Sequence, residues 1–168
     1  MAPAFLDAPS IVDRLALRHE RTDDESFLRE LYTSTRIDEI ASVGWSAAQS
    51  DLFLRMQFDF QRTHYRQHYA DATFLIVVLD GRPVGRLYVD YAPHDVRVLD
   101  ISLVPDARGK GVGGWLLQNV LEEADRLAAP VTLHVAAGNP ARRLYERLGF
   151  RTVNEDALNL FMERPRSV

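Results

Sequence analysis

Residues Asp100 to Leu116, DISLVPDARGKGVGGWL, decide the reading of this 168-residue chain. An apolar run ends at Val104-Pro105, glycines follow at Gly109, Gly111, Gly113 and Gly114, and a helical pattern begins near Gly111. A helix N-terminus leaves its first N–H groups unpaired and carries the positive end of the helix dipole, and glycine lets an anion come close to those amides. The stretch is therefore expected to be a strand, a phosphate-binding turn and a helix.

Spacing separates the phosphate motifs that compete for it. A Walker P-loop would need Gly at 104 and Ser or Thr at 111, where the chain has Val104 and Gly111. The order Gly109-x-Gly111-x-x-Gly114 does match a dinucleotide fingerprint. That fingerprint, however, wants the strand to run straight into the first glycine and an acid about 20 residues later. Here Pro105 to Arg108 intervene, and His134 stands where the acid belongs.

The third pattern is Arg108-x-x-Gly111-x-Gly113 after a strand ending in Val-Pro. It resembles the acyl-CoA signature R/Q-x-x-G-x-G/A of the GNAT superfamily of CoA-dependent N-acyltransferases. Downstream, Asn139-Pro140-Ala141-Arg142-Arg143-Leu144-Tyr145-Glu146-Arg147-Leu148-Gly149-Phe150 is similar to the family's terminal N-x-x-A-x-x-L-Y-x-x-x-G-F element, with the Asn-to-Ala spacing one residue shorter. Two motifs in the right order are more specific than either alone.

The resemblance implies a single α/β (α+β) domain: one mixed, mostly antiparallel sheet of about seven strands with about four helices, and a parallel central strand pair at the CoA site. It implies acetyl-CoA as cosubstrate, no metal, and direct acetyl transfer to a primary amine of a small molecule or protein. The cradle falls to Arg108, Gly109, Lys110, Gly111, Val112, Gly113 and Gly114, with pantetheine contacts at Leu103 and Val104 and further cofactor contacts at Asn139 and Arg142. Tyr145 matches the acid that protonates the departing thiolate, and a phenol near pKa 10 can pass a proton to a thiolate near 8.5. For the base, His134 and Asp100 both stay open, each able to act through water. A catalytically silent acyl-CoA-binding module is the alternative reading, and a Rossmann-type oxidoreductase a distant third.

Outward from this centre, Val12 to Arg18 alternates as a first strand. Thr22 with Glu25 predicts a capping box, and Phe27, Leu28, Leu31 and Tyr32 the buried stripe of a first helix. The period breaks over Thr35 to Trp45, and the resemblance makes the first two helices and their connection the walls of the acceptor site, with substrate identity read over Thr35 to Ser46. Ser46 with Gln49 predicts a second box and a helix to about Tyr69, its core stripe at Leu52, Phe53, Met56 and Phe60. Thr73 to Leu79, the turn Asp80-Gly81 and Val84 to Tyr91 predict a hairpin. Over Arg97 to Val104 the apolar parity shifts, which a β-bulge and a strand buried on both faces explain equally. A helix up to Ala129-Pro130, a strand Val131 to Val135 parallel to the one before the glycines, a helix closed by Gly149, and strands at Phe150 to Val153 and Ala157 to Met162 complete the chain. The domain is expected over 11–164, with tails at 1–10 and 165–168.

Composition narrows the function classes. The chain is 46% hydrophobic and 26% charged, with a net charge of −4, which argues against a general nucleic-acid or anionic-membrane surface. It contains no cysteine, which removes disulfides, cysteine-based zinc sites and a cysteine acyl-enzyme together. His64-x-x-x-His68 lacks the zincin glutamate and reads as a solvated helix face. No apolar leader segment interrupts this picture, so a cytoplasmic location is expected. The expected partners are acetyl-CoA and an amine acceptor, with no nucleic acid and no membrane, and a homodimer is left open.

Overall fold

The computed structural model describes residues 10–167. The tail expected at 1–10 lies outside these residues except for Ser10, whose side chain caps a 3-10 turn over Ile11–Arg14. Among the described residues no helix is long and apolar enough to cross a membrane.

Seven strands form one sheet in the order β1-β2-β3-β4-β5-β7-β6, with every neighbouring pair antiparallel except β4 and β5. The strands are β1 (Leu15–His19), β2 (Thr73–Leu79), β3 (Arg82–Ala92), β4 (Asp95–Leu103), β5 (Val131–Ala136), β6 (Arg151–Glu155) and β7 (Asn159–Arg164). The helices are α1 (Glu25–Ala41), α2 (Ala47–His68), α3 (Val112–Arg126) and α4 (Arg142–Arg147). This is the mixed sheet, helix number and parallel pair expected from the sequence. The β2–β3 turn has positive φ at both Asp80 and Gly81, the conformation that matches a hairpin's twist.

Two apolar clusters hold the sheet. The larger joins α3 and α4 to one face through Leu87, Val98, Leu116, Val120, Leu133 and Met162. The smaller joins α1 and α2 to the other through Leu28, Tyr32, Leu54, Phe58 and Ile76.

Three expectations are corrected. The first helix does not break at Thr35 but runs to Ala41. Its second half projects beyond the core, where Ser34, Thr35 and Ser42 return their hydroxyls to the carbonyls of Leu31, Tyr32 and Glu39 at 2.7 Å, so helix persists without apolar periodicity. At the start of α1 it is Asp24, not the Thr22–Glu25 pair, that turns back to an amide: it accepts from the Arg21 N–H at 2.8 Å while Arg18 grips both its oxygens at 2.6 and 2.7 Å. In α2 the Ser46–Gln49 box forms, yet the buried residues are Leu54 and Phe58, and Leu52, Met56 and Phe60 face solvent. The inward side of α2 also carries Gln61 and Tyr65, whose polar tips bond to the sheet, and this made the buried side look the less apolar of the two.

In β4 the shift of apolar parity is a bulge. Tyr88 pairs with Asp100 and Val89 with Val98, leaving Leu99 without a partner on β3. The extra residue turns Asp100 and Ser102 to the α1–α2 side, opposite Tyr88 and Arg86.

Candidate active site

The parallel pairing of β4 and β5 is short, in the register Val96↔Val131, Arg97↔Thr132 and Val98↔Leu133. Within it the Arg97 guanidinium donates to Thr132 Oγ1 at 3.4 Å, a side-chain bond across the paired part of the two strands. Beyond Val98 and Leu133, β4 runs on to Leu103 and β5 to Ala136 without bonding to each other, so a cleft opens between them.

The glycine turn stands at the mouth of this cleft. Gly109 and Gly111 have φ of +70° and +85°, values that favour glycine, and a Cβ at either would meet nothing within 4 Å. Gly111 is the residue that precedes α3, and the first helical hydrogen bond runs from the Trp115 N–H to the Gly111 carbonyl. Among the described residues, none of the N–H groups from Gly109 to Gly114 donates a backbone hydrogen bond. The turn is thus open, rich in free donors, and at the positive end of a 15-residue helix, which fits a pyrophosphate.

Around it, Arg108 donates from Nε to the Leu103 carbonyl at 2.9 Å and reaches Ser34 of α1 at 3.5 Å. Val112 is buried in the core, whereas Lys110 is exposed. A Cβ on Gly113 or Gly114 would lie 3.4 or 3.8 Å from the Leu144 side chain, an ordinary contact, so these two positions face α4 rather than the open side of the turn. Asn139 spends its side-chain oxygen on the Ala141 N–H at 2.9 Å, and Arg142 pairs with Glu146 at 2.8 Å. Both stand where β5 turns into α4.

Tyr145 is 5% exposed and packs edge-on against Phe150 at 5.9 Å. Burial, with the Asp100 carboxylate adding to it, pushes its phenol up to about 12. Tyr145 belongs to the cluster on the α3–α4 face and Asp100 is turned to the α1–α2 side, yet the Asp100 charge still acts on the phenol. Asp100 is not free there: Arg86 donates to its two oxygens at 3.1 and 2.8 Å, and Ser102 Oγ donates at 2.6 Å. His134 alternates with Leu133 and Val135 of the α3–α4 cluster and so faces the same side of the sheet as Asp100. It is exposed, it points away from the face of buried Leu133 and Val135, and its ring sits 4.8 Å from that of Phe161 on β7.

Sequence reasoning passed over the residues that hold Asp100 and the bulge. Arg86 is 3% exposed and donates to Gln61 Oε1 at 2.7 Å, and Tyr65 donates its hydroxyl to the Leu99 carbonyl at 3.0 Å. Burial drives the Arg86 pKa down, but the Asp100 charge more than offsets it, so the net shift is upward. Gly85 was also missed: a Cβ there would lie 2.5 Å from the Ser102 carbonyl oxygen. A charged residue and a glycine side by side in an apolar strand, as in Val84-Gly85-Arg86-Leu87, are the signal that marks them.

Comparison with known proteins agrees with this geometry. Streptothricin acetyltransferase of Streptomyces lavendulae is 37% identical over 82 residues, covering 46% of this chain and 43% of the relative. The alignment thus spans less than half of that protein's length. The structure of PaiA N-acetyltransferase from Thermoplasma acidophilum, in complex with coenzyme A, superposes with a TM-score of 0.69 at 19% identity, over 90% of this chain and 98% of that one. At that identity it shows a shared fold. The structure of nourseothricin acetyltransferase superposes with a TM-score of 0.52 at 27% identity, over 58% of this chain and 66% of that one. The sequence model of the Acetyltransferase (GNAT) family matches residues 28–150, most of the chain, and the protein belongs to that family.

Proposed function

We propose that this protein is an N-acetyltransferase that moves an acetyl group from acetyl-CoA directly to a primary amine of a small molecule or protein. The observation that carries the reading is the unpaired end of the β4–β5 cleft, which meets the free amides of Gly109 to Gly114 at one end and buried Tyr145 beside it. Acetyl-CoA supplies an activated thioester. The turn from Arg108 to Gly114 holds its phosphates, the β4 edge around Leu103 and Val104 faces its pantetheine arm, and Asn139 and Arg142 flank the same end.

This chain's own groups divide the remaining work. Tyr145 keeps its proton throughout the physiological range and yields it only to a strong base formed beside it. A thiolate, ordinarily near pKa 8.5, is raised by the same poor solvation when it forms in the cleft, so the transfer is less uphill than the phenol's value alone implies. Asp100 has its charge balanced by Arg86 and accepts three hydrogen bonds, so its part is to hold the bulged end of β4 in place. We assign the base to His134, which is exposed on β5 and makes no side-chain hydrogen bond among the described residues. The protein is proposed to work in the cytoplasm, where CoA thioesters are available.

Two measurements test the reading. Acetyl-CoA should raise Tm, because a ligand that binds only the folded state stabilises it by RT ln(1 + [L]/Kd). NADH should not. Thiol release should then be followed across a panel of amines, with streptothricin the first acceptor to screen, since a relative is named for it. Stabilisation by NADH alone would overturn the reading, and binding of acetyl-CoA without thiol release for any acceptor would leave a silent binding module. His134→Gln should lower kcat while leaving the acetyl-CoA shift in Tm unchanged; a full rate would return His134 to a structural role.

A further inference from the structure

The outer face of α2 carries an apolar row that nothing in the chain covers. Leu52, Met56 and Phe60 are 61%, 62% and 72% exposed. A spacing of four residues sets each side chain about one turn above the last. Leu54, Phe58, Gln61 and Tyr65 occupy the opposite side and contact the body, so the row points away from it. Contiguous apolar surface of this kind marks a contact site. The charges beside it are ordered: Arg55 and Asp59, with side chains 55% and 63% exposed, lie on one flank of the row, a turn apart.

We propose that a second copy of this chain docks on this face, with the two α2 helices antiparallel about a two-fold axis beside Met56. Such an axis reverses direction along the helix and keeps each flank on its own side. Met56 then meets the partner's Met56, Leu52 lies beside the partner's Phe60, and Arg55 comes within about half a turn of the partner's Asp59. The Leu52–Phe60 and Arg55–Asp59 contacts each occur twice. A parallel pair would set the charged flank against Phe53 and Gln57, which carry no charge. Within one chain Arg55 already bonds Asp51 at 3.0 Å and Asp59 lies 3.9 Å from Arg29, but exposed pairs of this kind contribute little and do not oppose the new contact. The row is about 12 Å long, small for an interface, so association is concentration-dependent.

Sedimentation of the full chain over a range of concentrations should show monomer giving way to dimer. The chain has no cysteine, so Met56→Cys introduces a single thiol that should form a disulfide-linked dimer on mild oxidation. Gln67→Cys, on the same face but about 33 Å from its symmetry mate, should not. Arg55→Asp and Asp59→Arg should each weaken the dimer roughly tenfold, and the double reversal should restore it. Phe60→Lys should be monomeric while retaining the acetyl-CoA shift in Tm, which separates loss of this interface from failure of the acetyltransferase reading. A monomer at every concentration, equal cross-linking at both thiols, or a dimer unaffected by Phe60→Lys would overturn the proposal, the face then serving a different partner or none.

Discussion

Arg86 and Asp100 form an ion pair whose side chains are 4% and 12% exposed, and this predicts how the site responds when one of them is neutralised. In Asp100→Asn, a guanidinium that water cannot reach keeps only Gln61 and a neutral amide. Removing one member of a buried pair typically costs about 3–5 kcal/mol, because the other charge is left without compensation. For a chain of this length that lowers Tm by roughly 6–20 °C. Arg86→Met strands the carboxylate instead, but Asp100 keeps Ser102 and is nearer solvent, so the loss should fall at the lower end of the range. Replacing both, Arg86→Met with Asp100→Leu, should cost less than the two single changes together, since no buried charge remains. The assays are denaturant unfolding of all four proteins together with steady-state kinetics well below each Tm. If the part of Asp100 is to hold the bulged end of β4 in place, activity of the single variants should largely return when they are assayed cold and folded. Asp100→Asn with Tm within about 2 °C of the parent and a collapsed kcat would refute this reasoning and make Asp100 the base.

Tyr145→Phe removes one proton donor and almost no packing, so CoA affinity should persist while kcat falls ~100- to 10,000-fold; an unchanged kcat would leave Tyr145 a packing residue. With its phenol near 12, Tyr145 should impose no basic limb on kcat/KM below about pH 11. Gly111→Val forces a branched side chain into a φ of +85° and should abolish CoA binding, whereas Gly113→Ala, whose Cβ touches only the end of Leu144, should bind within a few fold; calorimetry on both separates the two roles. The Arg18 guanidinium, opposed in part by burial, holds the Asp24 carboxyl below its usual range. The folded value is the lower one, so this stability is full above about pH 4 and is lost as pH falls through the depressed value. Acid unfolding of Asp24→Asn should show a shallower limb there; an unchanged limb would mean that the pair does not govern it.

The strand, glycine turn and helix at Asp100–Leu116 were legible because their signals are local. Glycine at positive φ, an unpaired helix start and the Val104-Pro105 stop each depend on neighbours within a few residues. The same holds for the Asp80-Gly81 turn and for Gly149, with φ of +90°, closing α4. The α2 face was misjudged for the converse reason. Periodicity says that a helix has sides, but which side turns inward is decided by what the sheet offers, and here the sheet offers Arg86 and the Leu99 carbonyl to Gln61 and Tyr65.

By itself, then, the order of amino acids determined most of the elements and the anion-binding turn, since short-range sterics and hydrogen bonding specify them, while Tyr145 entered as a candidate acid through the motif that it shares with the GNAT family. Only the tertiary structure decided that β4 carries a bulge at Leu99, that β4 and β5 part after Val98 and Leu133, and that Arg86 reaches across to occupy Asp100. Strand register and the pairing of charges 14 residues apart depend on contacts between elements, and no local pattern encodes those.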